Sequence, residues 1–471
     1  MKPKITTTII LIGIILSICL IYLTNKLSIL PNKYLLILTI IETVLNIIGI
    51  LTIMSKNKIL KIISIFIYII IIISSIIGIK YGKDTLKLFK IGFNNNNIEI
   101  KEYNVIVLKE SNYNEIEELK KKTLGYLENT LEKNNYLDEI KIDIDKKKYK
   151  SIYELYEDLL NKNIESIILN GSYIDLLEDD YNDIKEKIKI IYSFDIKEEK
   201  EKQEETKDLK PINIYISGSD SRSGLIETNT RTDVNMIMTI NPETKQILLT
   251  SIPRDYYVRL HNTTGYKDKL THSGIYGIEM SKKTLEDLFD IKIDYTIKVG
   301  FQSVIKIVDL IGGIDIYSDQ TFTTRCNDGG AEKTYIKEGL NHLTGAQALS
   351  YARERYAYQS GDNHRILNQQ QVLEAIITQA LKDKNILKKY SQFIDSFTEL
   401  YRTDIPNSLI KEYIKNQLEK SSKWTIEKQV VRGTVSMNIT YSMLGRSLYV
   451  MIPDEKSLEN ATNNIKKLQN S

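Results

Sequence analysis

Cysteine is nearly absent. The 471-residue chain has two, Cys19 and Cys326, and the first lies inside an apolar run. That excludes a soluble disulfide framework. An excess of one charge is also missing: 64 Lys and Arg against 61 Asp and Glu leave a formal net charge of +3. A protein that covers nucleic acid over a broad surface carries a larger or more localised basic excess. No helix-turn-helix pattern is present either, so nucleic acid is not an expected partner. The four histidines, His261, His272, His342 and His364, are scattered. None forms a spacing such as His-x-x-x-His that would hold a transition metal. Ser219 and Ser221 closely follow a glycine, but no Gly-x-Ser-x-Gly elbow makes either one a nucleophile.

Long apolar runs are present. Three open the chain, over approximately residues 5–24, 35–54 and 60–79. Each is near the roughly 20 helical residues needed to cross a hydrocarbon core. The first is not expected to be a cleaved leader, because no small-residue cleavage site follows it and two more spans come directly after. Lys2 and Lys4 precede the first span, and Lys56, Lys58 and Lys61 separate the second from the third; Lys26 and Lys33 lie on the other side. That bias favours a cytoplasmic N-terminus and puts everything after residue 82 outside. Lys80, Lys83, Lys87 and Lys90 run against it. The expectation is a multi-pass protein of the cell membrane, embedded in the lipid bilayer, with its large part extracellular.

Four blocks are expected: a membrane region at 1–96, a small α/β accessory domain at 97–195, a charged linker at 196–210 and a larger domain at 211–471. In the second block, strand-like runs such as Tyr103–Leu108 and Glu165–Leu169 alternate with amphipathic patterns such as Glu115–Lys133. No catalytic constellation is visible there.

The chemistry begins after the linker. Ile212, Ile214 and Ile216 alternate with Asn213 and Tyr215, a strand that ends in Ser217-Gly218-Ser219-Asp220-Ser221-Arg222. Arg231-Thr232-Asp233 opens the apolar run Val234–Ile240, Asn241-Pro242-Glu243-Thr244 is a turn, and Gln246–Ile252 stops at Pro253-Arg254-Asp255. A hairpin across that turn sets the start of one strand beside the end of its partner, and so Asp233 near Arg254. If the Ile212–Ile216 strand joins the same sheet, Asp220 and Arg222 reach the same edge. Alone, each of these reads as a turn residue or a surface ion pair. Clustered, two carboxylates and three arginines suit a metal–pyrophosphate complex: Mg²⁺ takes few hard oxygen ligands plus phosphate, and arginine forks match phosphate oxygens.

A second basic group lies downstream. Thr344-Gly345-Ala346-Gln347 fits a capping box for a helix expected to carry Arg353 and Arg355. Gly361-Asp362 breaks it, and a new helix begins near Asn363 with Arg365 and Gln369 one turn apart. An arginine in the first turn of a helix makes a phosphate site. A surface helix with solvated arginines explains the spacing equally well.

The order of these motifs resembles the LytR-CpsA-Psr family. The matching segments are Ser217–Arg222, Arg231–Asp233, Ser251–Asp255, Asp268–Gly277, Val308–Ile314, Gly339–Arg355 and Gly361–Gln370. The three spans and the extra domain resemble its CpsA-type, capsule-associated branch. The departure is at Leu367-Asn368, where many members carry another arginine.

The resemblance implies an α/β catalytic domain, with a central mixed sheet flanked by helices and the lipid tail in an apolar tunnel. It also implies that Asp220 and Asp233 hold Mg²⁺ (or Mn²⁺). Arg222, Arg231, Arg254, Arg353 or Arg355, and Arg365 would bind the pyrophosphate, with Gln369 assisting. The implied activity is transfer of a glycopolymer phosphate, capsular polysaccharide or wall teichoic acid, from a polyprenyl pyrophosphate carrier to a peptidoglycan hydroxyl. The general base is open between Asp220, Asp233 and substrate or water. The alternatives are a polyprenyl pyrophosphate phosphatase using the same residues, and a membrane-bound regulator or scaffold without turnover.

Overall fold

The computed structural model of the chain describes residues 3–91, 98–128, 134–199, 206–219, 229–325, 330–359, 361–382, 401–420 and 423–471. The three apolar runs form α1 (Pro3–Leu27), α2 (Asn32–Met54) and α3 (Lys58–Ile91). Their stretches Thr6–Leu27, Asn32–Met54 and Lys58–Lys87 are long and apolar enough to cross a membrane. The third helix outruns its expected end at 79. Its 34 residues span about 50 Å at ~1.5 Å per residue, against about 30 Å of hydrocarbon. Small residues let the bundle close: a Cβ on Gly13 or Gly49 would sit 2.6 or 2.7 Å from the Tyr68 ring. Buried Glu42 accepts from Ser17 Oγ at 2.7 Å, and Asn46 Nδ2 donates to Ser17 Oγ at 3.1 Å. Such polar ties between membrane helices average about 0.6 kcal/mol each.

The accessory domain contains β1 (Ile98–Leu108), β2 (Thr123–Leu127), β3 (Asp145–Tyr149), α4 (Ile152–Leu160), β4 (Ser166–Asn170), α5 (Gly171–Glu178), α6 (Ile184–Lys187) and β5 (Ile188–Glu199). The sheet order is β3-β2-β4-β1-β5. The helix expected over Glu115–Lys133 does not form in its described residues, 115–128. Ile116–Leu119 makes one 3-10 turn, Lys121 takes a positive φ of 58°, and β2 follows. Gly125 explains the outcome: a Cβ there would meet Leu155 Cδ1 at 2.5 Å and Ile164 Cδ1 at 2.7 Å, so the segment packs flat against the core as a strand. The charged stretch begins later than expected, because Ile196 through Glu199 pair with β1. One face of this sheet shares its core with the next domain, where Tyr173 and Leu177 cluster with Leu260, Ile275 and Met443.

The larger domain begins with β6 (Ile212–Ser219), β7 (Val234–Asn241), β8 (Gln246–Ile252), β9 (Tyr257–Val258), β10 (Asp268–Lys269), α7 (Leu270–Ser273), α8 (Ile278–Phe289), β11 (Tyr295–Gly300) and α9 (Phe301–Leu310). It continues with β12 (Ile314–Ser318), β13 (Phe322–Thr323), β14 (Tyr335–Ile336), β15 (Gly339–Leu343), α10 (Gly345–Arg353), α11 (Asp362–Lys382), β16 (Tyr401–Thr403), a helix Asn407–Lys420, β17 (Thr425–Val430), β18 (Gly433–Ile439), β19 (Ser447–Pro453) and a C-terminal helix Glu455–Gln469.

The central sheet runs β16-β11-β6-β7-β8-β17. β6, β7 and β8 pair antiparallel; β11 joins β6, and β17 joins β8, in parallel. Leu285, Phe289 and Ile465 cover one face, and Leu373 and Leu409 the other. This is the mixed sheet between helix layers that the family resemblance implies.

Candidate active site

The site forms where β6 ends and the β7–β8 hairpin begins and ends. Asn241 holds the turn by accepting from the backbone of Glu243 at 2.9 Å and Thr244 at 3.2 Å. The register Asn235↔Ile252 then sets Asp233 beside Arg254. Arg254 Nη1 donates to Asp233 Oδ1 at 2.8 Å, and the Asp233 N–H donates to Gly218 O at 2.8 Å. The side chains are 26% and 16% exposed, reachable by a ligand yet largely shielded from water. Asp220 and Arg222 lie outside the described residues.

Charge accumulates around Asp233. Burial pushes its carboxyl up, but the charges of Arg254, Arg231 and Arg365, with the Arg254 hydrogen bond, outweigh burial. The carboxyl is therefore held below the ordinary carboxylate range. Arg254, Arg231 and Arg365, three arginines named from the sequence, thus each act on the Asp233 carboxyl. Gln369 lies one turn beyond Arg365 on α11 and is half-buried. Its neighbour Gln370 ties the helix to the sheet, donating to Gln429 O at 2.7 Å.

The other two arginines are placed differently. Arg353 ends α10, with its guanidinium 4.2 Å from the Phe301 ring centre. Arg355 lies beyond that helix, a correction to its expected place on it, and stacks 4.7 Å from the Tyr356 ring centre. The cause is Glu354, which is buried and accepts backbone N–H bonds from Arg325 and Tyr356 at 2.6 Å and from Ala357 at 3.0 Å. That carboxylate turns the chain out of the helix.

Several residues that the sequence did not single out complete the setting. Thr271 N donates to Arg254 O at 2.8 Å, and Thr232 N to Thr271 O at 3.1 Å, so α7 braces both flanks of the pair. Asp255 pairs with Lys269 at 3.2 Å. Both sit in motifs quoted above, Pro-Arg-Asp and the stretch from Asp268, which is the signal that would have found them. Among the described residues, Ser219 Oγ, Thr230 Oγ1 and Thr271 Oγ1 are buried without a hydrogen-bond partner. Buried hydroxyls in that state mark where a ligand, ion or water is needed.

An apolar strip leads away from the charged end. Val234, Met236, Met238 and Ile240 share one side of β7, and Met236, Met238 and Ile240 belong to the cluster that Leu373 of α11 and Leu409 join. α11 therefore starts at the arginine cluster and runs on over the greasy face of the sheet.

The family model described as the LytR_cpsA_psr family matches residues 180–467. The chain is 31% identical over 208 residues to the polyisoprenyl-teichoic acid–peptidoglycan teichoic acid transferase TagU of Bacillus mycoides (strain KBAB4), covering 44% of this chain and 64% of that protein. The match thus spans a little under two thirds of the relative's own length. The Bacillus licheniformis protein of the same name is 30% identical over 266 residues, covering 55% of this chain and 78% of that protein. The crystal structure of B. subtilis TagV superposes with a TM-score of 0.47 at 26% identity, covering 56% of this chain and 98% of that one.

Proposed function

This chain belongs to the LytR_cpsA_psr family, and from that premise we propose that it transfers a glycopolymer phosphate from a polyprenyl pyrophosphate carrier to a hydroxyl of peptidoglycan. The observation that carries the reading is the junction of two environments: Asp233 among Arg254, Arg231 and Arg365 at one end, and the apolar strip under α11 leading from it. A polyprenyl pyrophosphate has the same two parts. The names of the TagU relatives point to teichoic acid as the transferred polymer.

In the reaction, the acceptor oxygen bonds to the sugar-linked phosphorus while the bridging P–O bond breaks, and polyprenyl phosphate leaves. The hydroxyl proton is lost to solvent or to the leaving phosphate. Asp233 is a weak base, because its arginine neighbours favour the ionised carboxylate. Its role is to hold charge in place. Such transfers depend mainly on alignment and electrostatic stabilisation. Arg254 and Arg365 would grip the diphosphate oxygens, and Arg231 would add a third fork.

The residues fit Mg²⁺ (or Mn²⁺). An ionised carboxylate and the unpartnered Ser219 hydroxyl lie at the same strand ends. No group of three His, Cys, Asp or Glu placed to hold a metal ion exists among the described residues. Mg²⁺ needs only one or two carboxylates when phosphate and water supply the rest. Asp233 and Asp220 would hold it, and it would neutralise charge on the diphosphate.

The catalytic domain is proposed to face outward. Lys33 Nζ reaches Glu419 O at 3.4 Å and Tyr34 hydroxyl reaches Leu418 O at 3.3 Å, so the N-terminal end of α2 and this domain share one side of the bundle. Lysine placement favours that side as the outer one. Anchoring keeps the apolar strip near the bilayer that holds the carrier.

The test is turnover by the purified chain in nanodiscs, supplied with a polyprenyl-pyrophosphate-linked glycan and peptidoglycan fragments. The expected product is glycan phosphate joined to peptidoglycan, with release of polyprenyl phosphate. Asp233→Ala should lower the rate by about 10²–10³, the scale for losing one charge stabiliser. Release of glycan phosphate at the same rate without peptidoglycan would identify a phosphatase instead.

A further inference from the structure

We propose that the accessory domain is a positioning element of the diphosphate site, with Asp179 as the residue that aims Arg231. The inference rests on the reading of that site given above. Asp179 caps the C-terminal end of α5, and its Oδ2 accepts from Arg231 Nη1 at 2.5 Å. Two residues earlier in the loop, Asn229 O accepts from Ser172 Oγ, also on α5. The segment that delivers Asp233 to β7 is therefore held by the accessory domain at both ends of its Asn229–Arg231 stretch.

The same helix reaches the opposite flank. Tyr173 and Tyr276 hydroxyls lie 3.0 Å apart, and Tyr276 is 2.9 Å from Ser442 Oγ. Ser442 N donates to Asp268 Oδ2 at 2.9 Å, and Asp268 Oδ1 is 2.6 Å from His272 Nδ1. All of these groups are buried. His272 lies on α7 next to Thr271, which bonds both Arg254 and Thr232. One short helix of the accessory domain thus braces both the Arg231 side and the Arg254 side of Asp233.

Plain domain docking would not require this pattern. The two domains also meet at Arg446, which bonds Glu157 at 3.1 Å and stacks 4.4 Å from the Tyr153 ring centre. That contact does not touch the Asn229–Arg231 segment or α7. Arg231 differs because its side chain carries a fork of five N–H groups on a flexible stem. A carboxylate that holds one N–H lowers the ordering cost of presenting the others to phosphate. The charge of Arg231 also helps keep Asp233 ionised.

The experiment is calorimetric titration of geranyl pyrophosphate with MgCl₂ into the full chain in detergent. Asp179→Asn is expected to weaken binding about fivefold, equivalent to about 1 kcal/mol at 1.4 kcal/mol per tenfold. Asp179→Glu should recover most of that. In an Arg231→Ala background, Asp179→Asn should add nothing. Arg446→Ala should lower the melting temperature and leave affinity alone. The inference is overturned if Asp179→Asn binds as wild type or tighter, if its loss persists without Arg231, or if Arg446→Ala loses as much. A wild-type chain that does not bind the probe overturns the diphosphate reading itself, and this one with it.

Discussion

Arg254 donates from Nη1 to Asp233 Oδ1 across 2.8 Å, joining the end of one hairpin strand to the start of the other. This pair governs the expected pH behaviour. Burial alone would raise the Asp233 carboxyl, and the arginine charges reverse it. A depressed carboxyl contributes stability that is present above its unfolded value, near about 3.9, and lost as pH falls through the folded one. Activity carried by the ionised form should therefore hold from neutral pH down to the ordinary carboxylate range. Arg254→Gln removes the nearest cation, so the acid limb should move upward. Rate–pH profiles of the two proteins check this, and coincident acid limbs would separate Asp233 from the pH dependence.

Arg254→Lys keeps the charge but loses the planar fork. Affinity for geranyl pyrophosphate with Mg²⁺ should fall about tenfold, the value of one charge-assisted hydrogen bond near 1.5 kcal/mol. Calorimetry reads it directly. Equal affinity in the lysine variant would mean that Arg254 serves Asp233 and not the ligand.

Chelation addresses the metal. Asp233 is already surrounded by arginine charge, so affinity for Mg²⁺ should depend on diphosphate being present. EDTA in excess is expected to abolish transfer, and MgCl₂ or MnCl₂ to restore it. Full turnover in EDTA would leave the arginines alone to carry the charge.

Much of this site could be read from the chain because its parts are local. Strand alternation on either side of Asn241-Pro242 fixes the hairpin, and the hairpin places Asp233 beside Arg254. What could not be read depends on distant partners. Nothing near Arg231 names Asp179, 52 residues earlier, because domain docking brings them together. Arg355 leaves its helix because Glu354 accepts three backbone N–H groups, a tertiary event that capping rules do not contain. Over Glu115–Lys133, charges at helical spacing outvoted Gly125, the one residue whose missing side chain signals a crowded strand.

Gly274 offers the sharpest steric test. Its φ of −67° suits any residue, so substitution carries no backbone strain. The obstacle is space: a Cβ would lie 2.3 Å from Thr230 O, 2.5 Å from Thr232 Cγ2 and 3.0 Å from Thr232 N. The backbone of residues 230–232 has to move, and with it the Thr232–Thr271 bond and Asp233. Overpacking of this kind costs about 1–3 kcal/mol. Gly274→Ala should therefore lower the melting temperature and also reduce transfer by about tenfold or more, since small misplacements of reacting groups are expensive. Gly171→Ala is the matched control, because a Cβ there meets Asn104 Nδ2 at an ordinary 3.4 Å. It should leave both quantities near wild type. If Gly274→Ala lost stability but kept its full rate, the 230–232 segment would not be what holds Asp233 in register with Arg254.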